Sequence, residues 1–198
     1  MPSTNQIEIP DFHHPRSNLS SVHRQNEPED AFVSDFLDTY LETALQIHRG
    51  SPKTEMVVAR EVAVNGLGIA DALALSWKPK DTSLDFGVAT VESLMYLTPT
   101  IRAFEAKLVN WRKGMMQAHR YSFFADASIL VVPAKLLSAI QKAVPDFRKL
   151  SVGLWIFDQG RRSLRAIYTP RPRLSSAPEY RRMALKRMAD AFRAQRVP

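Results

Sequence analysis

The stretch FEAKLVNWRKGMMQAHRYSFFADASILVVPA, residues 104–134, decides the fold that we predict for this chain. It begins within a predicted strand over 101–109. A helix over 111–125 follows, in which Gly114 is the one residue of low helix propensity. The next segment, 127–133, is fully apolar, which is typical of a strand buried inside a mixed sheet. This order of elements predicts an α/β fold.

The segments on either side extend the same sheet. Upstream, apolar residues at helical spacing predict a helix over 29–48, and two strands follow over 56–64 and 69–77, joined by a turn at Asn65-Gly66. Downstream we predict a short helix over 135–143 that is stopped by Pro145, two strands of a hairpin over 152–157 and 164–168, and a terminal helix over 177–195. The result is an αβββαβ core with a mixed central sheet, an added C-terminal β-hairpin and a basic terminal helix.

The chain divides into one domain and two flanking segments. Residues 1–28 contain four prolines and no sustained periodicity, so we expect a flexible N-terminal tail. The domain spans 29–170 and includes an insertion over 78–100, which is consistent with either a hairpin or a short helix. Residues 171–198 form a basic helical extension.

Composition excludes several classes of protein. With 198 residues, of which 45% are hydrophobic and 24% charged, the chain can form one ordinary globular domain. It has no cysteine, which excludes disulfides and thiolate chemistry, and its five histidines lack the spacing of a zinc site. A metal site would therefore use carboxylates, which suit Mg²⁺ or Mn²⁺. No long apolar run or secretory signal is present, so we expect a cytoplasmic protein without a membrane partner.

The net charge of +7 is concentrated in the last forty residues. From residue 159 onward there are eleven basic residues and two acidic ones, a local net charge of +9. This pattern predicts a polyanionic partner, DNA before RNA. The candidate contacts at this end are Arg161, Arg162, Arg171, Arg173, Arg181 and Arg182. The terminal helix also has an apolar stripe, which is consistent with packing on the core or with docking of a second copy or a partner subunit.

Five polar residues around the central strand form the candidate active site. Glu105 and Lys107 are two apart in a strand and therefore share a face. Asp71 lies in the preceding strand, and two carboxylates brought together there would repel each other unless a cation lies between them. Gln117 and Tyr121 are one turn apart in the following helix. A lysine beside such a site can orient a water or balance the charge of a transferring phosphate.

This arrangement resembles the PD-(D/E)XK nuclease superfamily, and its Q-x-x-x-Y helix resembles the RecB-type exonuclease branch. The resemblance implies a restriction-endonuclease-like fold and hydrolysis of DNA phosphodiester bonds. It further implies that Asp71 and Glu105 bind Mg²⁺ or Mn²⁺ and that Lys107 assists the attacking water. Gln117 and Tyr121 would support this site and contact DNA.

The resemblance also implies further ligands. The carbonyl of Ala106 and one acid of the first helix, Glu42 in preference to Asp38, would complete the metal shell. Basic residues of the following helix adjoin the site as candidate nucleic-acid contacts: Arg112, Lys113 and Arg120. A metal-dependent nuclease is the leading hypothesis. The alternative is a catalytically silent nuclease fold that binds nucleic acid or acts as an interaction subunit of a larger complex.

Overall fold

A computed structural model describes residues 28–47, 54–78 and 88–194. Its centre is a six-stranded mixed open sheet in which spatial order equals chain order. The strands are β1 (Glu55–Val64), β2 (Gly68–Trp77), β3 (Thr100–Ala106), β4 (Ala127–Pro133), β5 (Val152–Asp158) and β6 (Ser163–Tyr168). Both pairs that β4 makes, with β3 and with β5, are parallel, and the other three pairs are antiparallel. The α/β class that the sequence predicts is confirmed.

Helices cover both faces of this sheet. They are α1 (Pro28–Ile47), α2 (Val91–Tyr96), α3 (Trp111–Tyr121), α4 (Leu137–Ile140), α5 (Val144–Lys149) and α6 (Pro178–Ala194). On one face α1 packs an aromatic cluster against β3 and β5, including Phe36 against Phe104 and Phe157. The other face carries two buried clusters, one with α6 and one with α3, so alternate side chains of a strand face α1 or these two helices.

Several predicted elements have different bounds. The prediction of one helix over 135–143, ended by Pro145, is wrong: α4 is a single turn between two 3₁₀ turns. Pro145 instead lies in the first turn of α5, where a missing N–H costs no helical hydrogen bond. In the insertion, α2 is a short helix whose start is capped reciprocally by Thr90 and Ser93. Of the predicted N-terminal tail over 1–28, residues 1–27 lie outside the described residues and Pro28 begins α1.

The basic terminal helix is part of the domain core. In α6 an apolar stripe packs against β1 and α2, and its members are buried: Ala184, Leu185, Met188, Ala189 and Phe192. Of the two uses that the sequence allowed for this stripe, the structure has core packing. None of the helices in the described ranges has both the length and the hydropathy needed to cross a membrane.

Candidate active site

Asp71 and Glu105 lie beside each other at one end of the sheet. The antiparallel register of β2 and β3 pairs Ala72 with Phe104, so the next positions along are Asp71 and Glu105. The backbone N–H of Ala106 donates to Asp71 Oδ2 at 2.6 Å, which holds this carboxylate against β3. Glu105 is almost completely buried, at 1% exposure. The two carboxylates therefore share one face at the sheet edge, as their strand positions predict.

Lys107 connects this pair to the start of α1. Its Nζ lies 3.0 Å from Glu105 Oε1 and 3.1 Å from Glu29 Oε1. Glu29 is in the first turn of α1, where acids are common because they complement the helix dipole. That ordinary preference hides Glu29 in the sequence, and only the packing of α1 across the sheet reveals that it belongs to the site.

Gly114 allows the Lys107 side chain to lie along α3. A Cβ atom at this position would come within 2.7 Å of Lys107 Cγ and 2.6 Å of Leu130 Cδ1, which is closer than real Cβ contacts. The glycine that weakens α3 in the sequence is thus the point at which helix and lysine stem approach closely. Gly114 fixes the path by which the ammonium group reaches the two carboxylates.

Tyr121 holds the other oxygen of Glu105. Its hydroxyl lies 2.6 Å from Glu105 Oε2 and 2.7 Å from the carbonyl oxygen of Ile69. A phenol has one proton and the carbonyl only accepts, so both contacts are hydrogen bonds at once only when Glu105 is protonated. One turn earlier, Gln117 Oε1 is buried and has no hydrogen-bond partner in the described part of the chain. Of the Q-x-x-x-Y pair, Tyr121 therefore contacts the site acids directly.

Burial and like charge disfavour two ionised acids here. Burial, reinforced by the charge of Glu105, raises the pKa of Asp71 to about 7 against an opposing hydrogen bond from the Ala106 N–H. Burial also raises the pKa of Glu105, although Tyr121 and Lys107 oppose the shift. For Lys107, burial lowers the pKa, but the charges of Glu105 and Asp71 outweigh it and the net pKa is raised. Among the described residues, these two carboxylates and that of Glu29 thus act on one ammonium group.

The two first-helix acids that the sequence favours are not part of this cluster. Glu42 is exposed and pairs with Arg162 NH2 at 3.3 Å. Thirteen residues of helix separate it from Glu29, a rise of about 20 Å. Asp38 lies nine residues after Glu29 on the same helix. The expectation that Glu42 completes the site is therefore wrong, and Glu29 is the α1 acid that reaches it.

The donor set of this edge suits a hard cation. Asp71 and Glu105 supply carboxylate oxygens, and oxygen ligands are what Mg²⁺ prefers. Within residues 28–47, 54–78 and 88–194 no group of three or more acidic or histidine side chains is arranged to hold a metal. The fit therefore rests on the Asp71–Glu105 pair, in which burial raises the pKa of both carboxyls and the charge of Glu105 adds to the rise at Asp71.

A cleft of about 400 Å³ opens beside the Lys107 ammonium group. It lies between the first turn of α1 and the segment that joins β3 to α3. Its lining residues are Pro28, Glu29, Lys107, Leu108, Val109, Asn110 and Lys113. The turn is sharp because Asn110, at the start of α3, adopts a left-handed conformation with φ of 50°, which asparagine tolerates well. Lys107 and Lys113 thus both line this cleft.

The predicted nucleic-acid contacts do not form one surface. Strands β3, β4 and β5 are parallel, so their carboxyl ends and the site share one edge of the sheet. Arg173 donates its backbone N–H to Asp126 O at 2.9 Å, and Asp126 immediately precedes β4. Arg173 and Arg181 therefore lie at the opposite edge, about 20 Å from Lys107 for a seven-residue strand.

Four of the predicted contacts are already in ion pairs. Arg161 pairs with Asp158, Arg162 with Glu42, Arg181 with Asp126 and Arg182 with Glu92. Arg181 is only 16% exposed and also donates to the carbonyl of Pro99 at 2.6 Å, so its guanidinium is engaged within the protein and is not presented to a partner. In the described ranges, the five without an acidic partner are Arg112, Lys113, Arg120, Arg171 and Arg173.

The fold and this edge define an α/β protein with a mixed open sheet and a buried carboxylate–lysine cluster. Comparison with known proteins adds no relative: no protein-family model matches the chain, and no curated protein matches it in sequence.

Proposed function

We propose that this protein is a metal-dependent nuclease with a restriction-endonuclease-like core, which hydrolyses DNA phosphodiester bonds. The observation that carries the proposal is the convergence of Asp71, Glu105 and Lys107 at one sheet edge, next to an open cleft. The order α1-β1-β2-β3-α3-β4 gives the αβββαβ succession of that core, with the short α2 inserted before β3. A buried acid pair beside a lysine is a costly arrangement that packing alone does not require.

The residues of the candidate site have distinct roles in this proposal. Asp71 and Glu105 would hold Mg²⁺ or Mn²⁺, and the bound ion would stabilise charge on the phosphate and lower the pKa of water. Lys107 places a cation at the mouth of the cleft, where it can orient the attacking water and balance the charge of the phosphate. Tyr121 fixes the orientation of Glu105 by its hydrogen bond to Oε2. Lys113, at the wall of the cleft, is available to a neighbouring phosphate.

The test is a cleavage assay on linear, circular and single-stranded DNA in Mg²⁺ or Mn²⁺. We expect metal-dependent cleavage that falls by at least about a hundredfold in Lys107→Ala, because a preorganised charge at the reacting phosphate is lost. Lys142→Ala is the matched control, since Lys142 is exposed and lies far along the chain in the α4–α5 segment. Cleavage that survives in Lys107→Ala, or needs no divalent ion, would overturn the proposal. Circular against linear substrate separates endonuclease from exonuclease activity.

A second candidate is a catalytically silent nuclease fold. It is favoured by the internal pairing of the cluster, since Lys107 already contacts both Glu29 and Glu105, and Tyr121 contacts Glu105. Such a protein would bind DNA without cutting it. DNA binding by the wild type together with no affinity for Mg²⁺ would favour this candidate over the nuclease.

A further inference from the structure

Helix α3 presents a stripe of exposed residues, some cationic and some apolar. With 3.6 residues per turn, the stripe covers an arc of about 100° on the side of α3 away from the sheet. We call it the α3 stripe, and its members are Arg112, Lys113, Met116, Arg120 and, in the turn that follows, Phe123. It starts at the site, because Lys113 also lines the cleft beside Lys107.

The α3 stripe is cationic and contains no acid of its own. Residues 111–125 contain no aspartate or glutamate. Its three cations have no acidic partner among the residues that the structure describes, unlike Arg161, Arg162, Arg181 and Arg182. Arg112 is held in place by its neighbour, with its guanidinium 4.3 Å from the centroid of the Trp111 ring. Uncompensated cations along one helix face are suited to a row of phosphates.

Two large apolar side chains lie beside these cations on the same face. Met116 is 52% exposed and Phe123 is 44% exposed, although the sheet face beneath α3 offers a core that buries the other apolar residues of the helix. A duplex keeps its base faces stacked inside, so it cannot use an exposed ring. A single strand offers base faces to aromatic and apolar side chains while its phosphates meet the cations.

We infer that the α3 stripe binds single-stranded DNA and leads it to the cleft at Lys107. This inference rests on the proposed function, for which it names the substrate class. Arg112, Lys113 and Arg120 contact phosphates, and Phe123 and Met116 contact bases. The strand-binding surface is therefore the α3 face and not the arginine-rich terminal segment that dominates the charge of the sequence.

Fluorescence anisotropy of the full chain in EDTA separates binding from cleavage. The probes are a labelled oligothymidylate of about 16 nucleotides and a duplex of the same length. Phe123→Ala is expected to weaken single-strand binding about tenfold, because one base loses its stacking partner, while duplex binding changes less than about twofold. Tyr96→Ala is the matched control, since Tyr96 is an aromatic residue that is 64% exposed on α2. An equal loss in Tyr96→Ala, or an equal loss of duplex binding in Phe123→Ala, would overturn the inference.

A second pair of variants tests the phosphate contacts. Arg120→Gln is expected to reduce the slope of log K against log salt by about 0.7 on the single strand, which corresponds to one phosphate. Arg182→Gln, which removes an arginine already paired with Glu92, should leave the slope unchanged. The reverse result, with the slope falling in Arg182→Gln alone, would place the strand on α6 and contradict the inference.

The two proposals fail separately. Stripe-dependent binding by a wild type that cleaves no DNA would refute the nuclease and leave the binding surface standing. If the wild type cleaves DNA, and the variants Phe123→Ala and Arg120→Gln bind the single strand as the wild type does, the binding surface is refuted and the nuclease stands. Asp71→Asn should lose cleavage and keep the affinity for the single strand in EDTA, because Asp71 is not part of the stripe.

Discussion

The two edges of the sheet each hold a buried cluster of charged residues, and they are built differently. At the edge where β4 begins, Asp126 accepts from Arg181 at 2.7 Å and from the backbone N–H of Ile101 at 2.7 Å. Asp126 and Arg181 thus form a one-to-one ion pair, and a second guanidinium nitrogen of Arg181, NH2, donates to the carbonyl of Pro99. At the edge where β3 ends, the described residues bring three carboxylates, those of Asp71, Glu105 and Glu29, to one ammonium group, that of Lys107. A balanced pair is typical of structure, and the excess of acid marks the site.

The largest effect on stability is expected at the balanced edge. Arg181→Met leaves Asp126 buried and unpaired, which should lower the free energy of unfolding by about 3 kcal/mol. Arg182→Met is the control, because its pair with Glu92 is exposed and solvent screening leaves it little effect on stability. Urea denaturation at neutral pH measures both. Equal values for the two variants would mean that Asp126 and Arg181 are not a buried structural pair.

At the acid-rich edge, removal of a charge is expected to raise the free energy of unfolding. The pKa of Asp71 is raised to about 7 from 3.8, so the folded state favours the protonated acid, and this stabilisation is lost as pH rises through about 7. Asp71→Asn keeps an acceptor for the Ala106 N–H and removes the charge. It should therefore be more stable than the wild type by about 2 kcal/mol at pH of about 8, and equal to it near pH 4.

Urea denaturation in EDTA at both pH values checks this prediction. Glu55→Gln is a matched control, since Glu55 is an exposed acid at the start of β1 and its variant should follow the wild type at both. A destabilised Asp71→Asn at the higher pH would show that the Asp71 carboxylate is balanced in the metal-free protein, as Asp126 is.

The sequence predicts the sheet and the two strand acids because local periodicity carries that information. Alternation in β3 is enough to place Glu105 and Lys107 on one face and Phe104 in the opposite core. The role of Glu29 could not be predicted, because it depends on the angle at which α1 crosses the sheet. Arg181 misleads for the same reason: composition counts its charge, whereas burial and Asp126 decide what that charge does.

Gly114 shows how a local weakness in sequence can have a tertiary cause. In an exposed helix, Gly→Ala would stabilise by about 1 kcal/mol. Here the added methyl group meets Lys107 and Leu130, so Gly114→Ala is expected to be destabilised by about 1 kcal/mol and to lose cleavage activity as the lysine is displaced.

Thermal unfolding and the cleavage assay test Gly114→Ala together. Gly160→Ala is its control, because the nearest atom to the new methyl group, Asp158 Oδ1, is 3.6 Å away. A stabilised and fully active Gly114→Ala would show that Lys107 does not depend on the close approach of α3.

The binding of Mg²⁺ to the wild type, measured by isothermal titration calorimetry at pH of about 8, tests the central claim most directly. The excess of carboxylates at the β3 edge predicts a single site, with binding abolished in Asp71→Asn and retained in Arg181→Met under conditions where that variant is folded. Absence of Mg²⁺ and Mn²⁺ binding to the wild type, or binding that is unchanged in Asp71→Asn, would contradict the claim that Asp71 and Glu105 form a metal site.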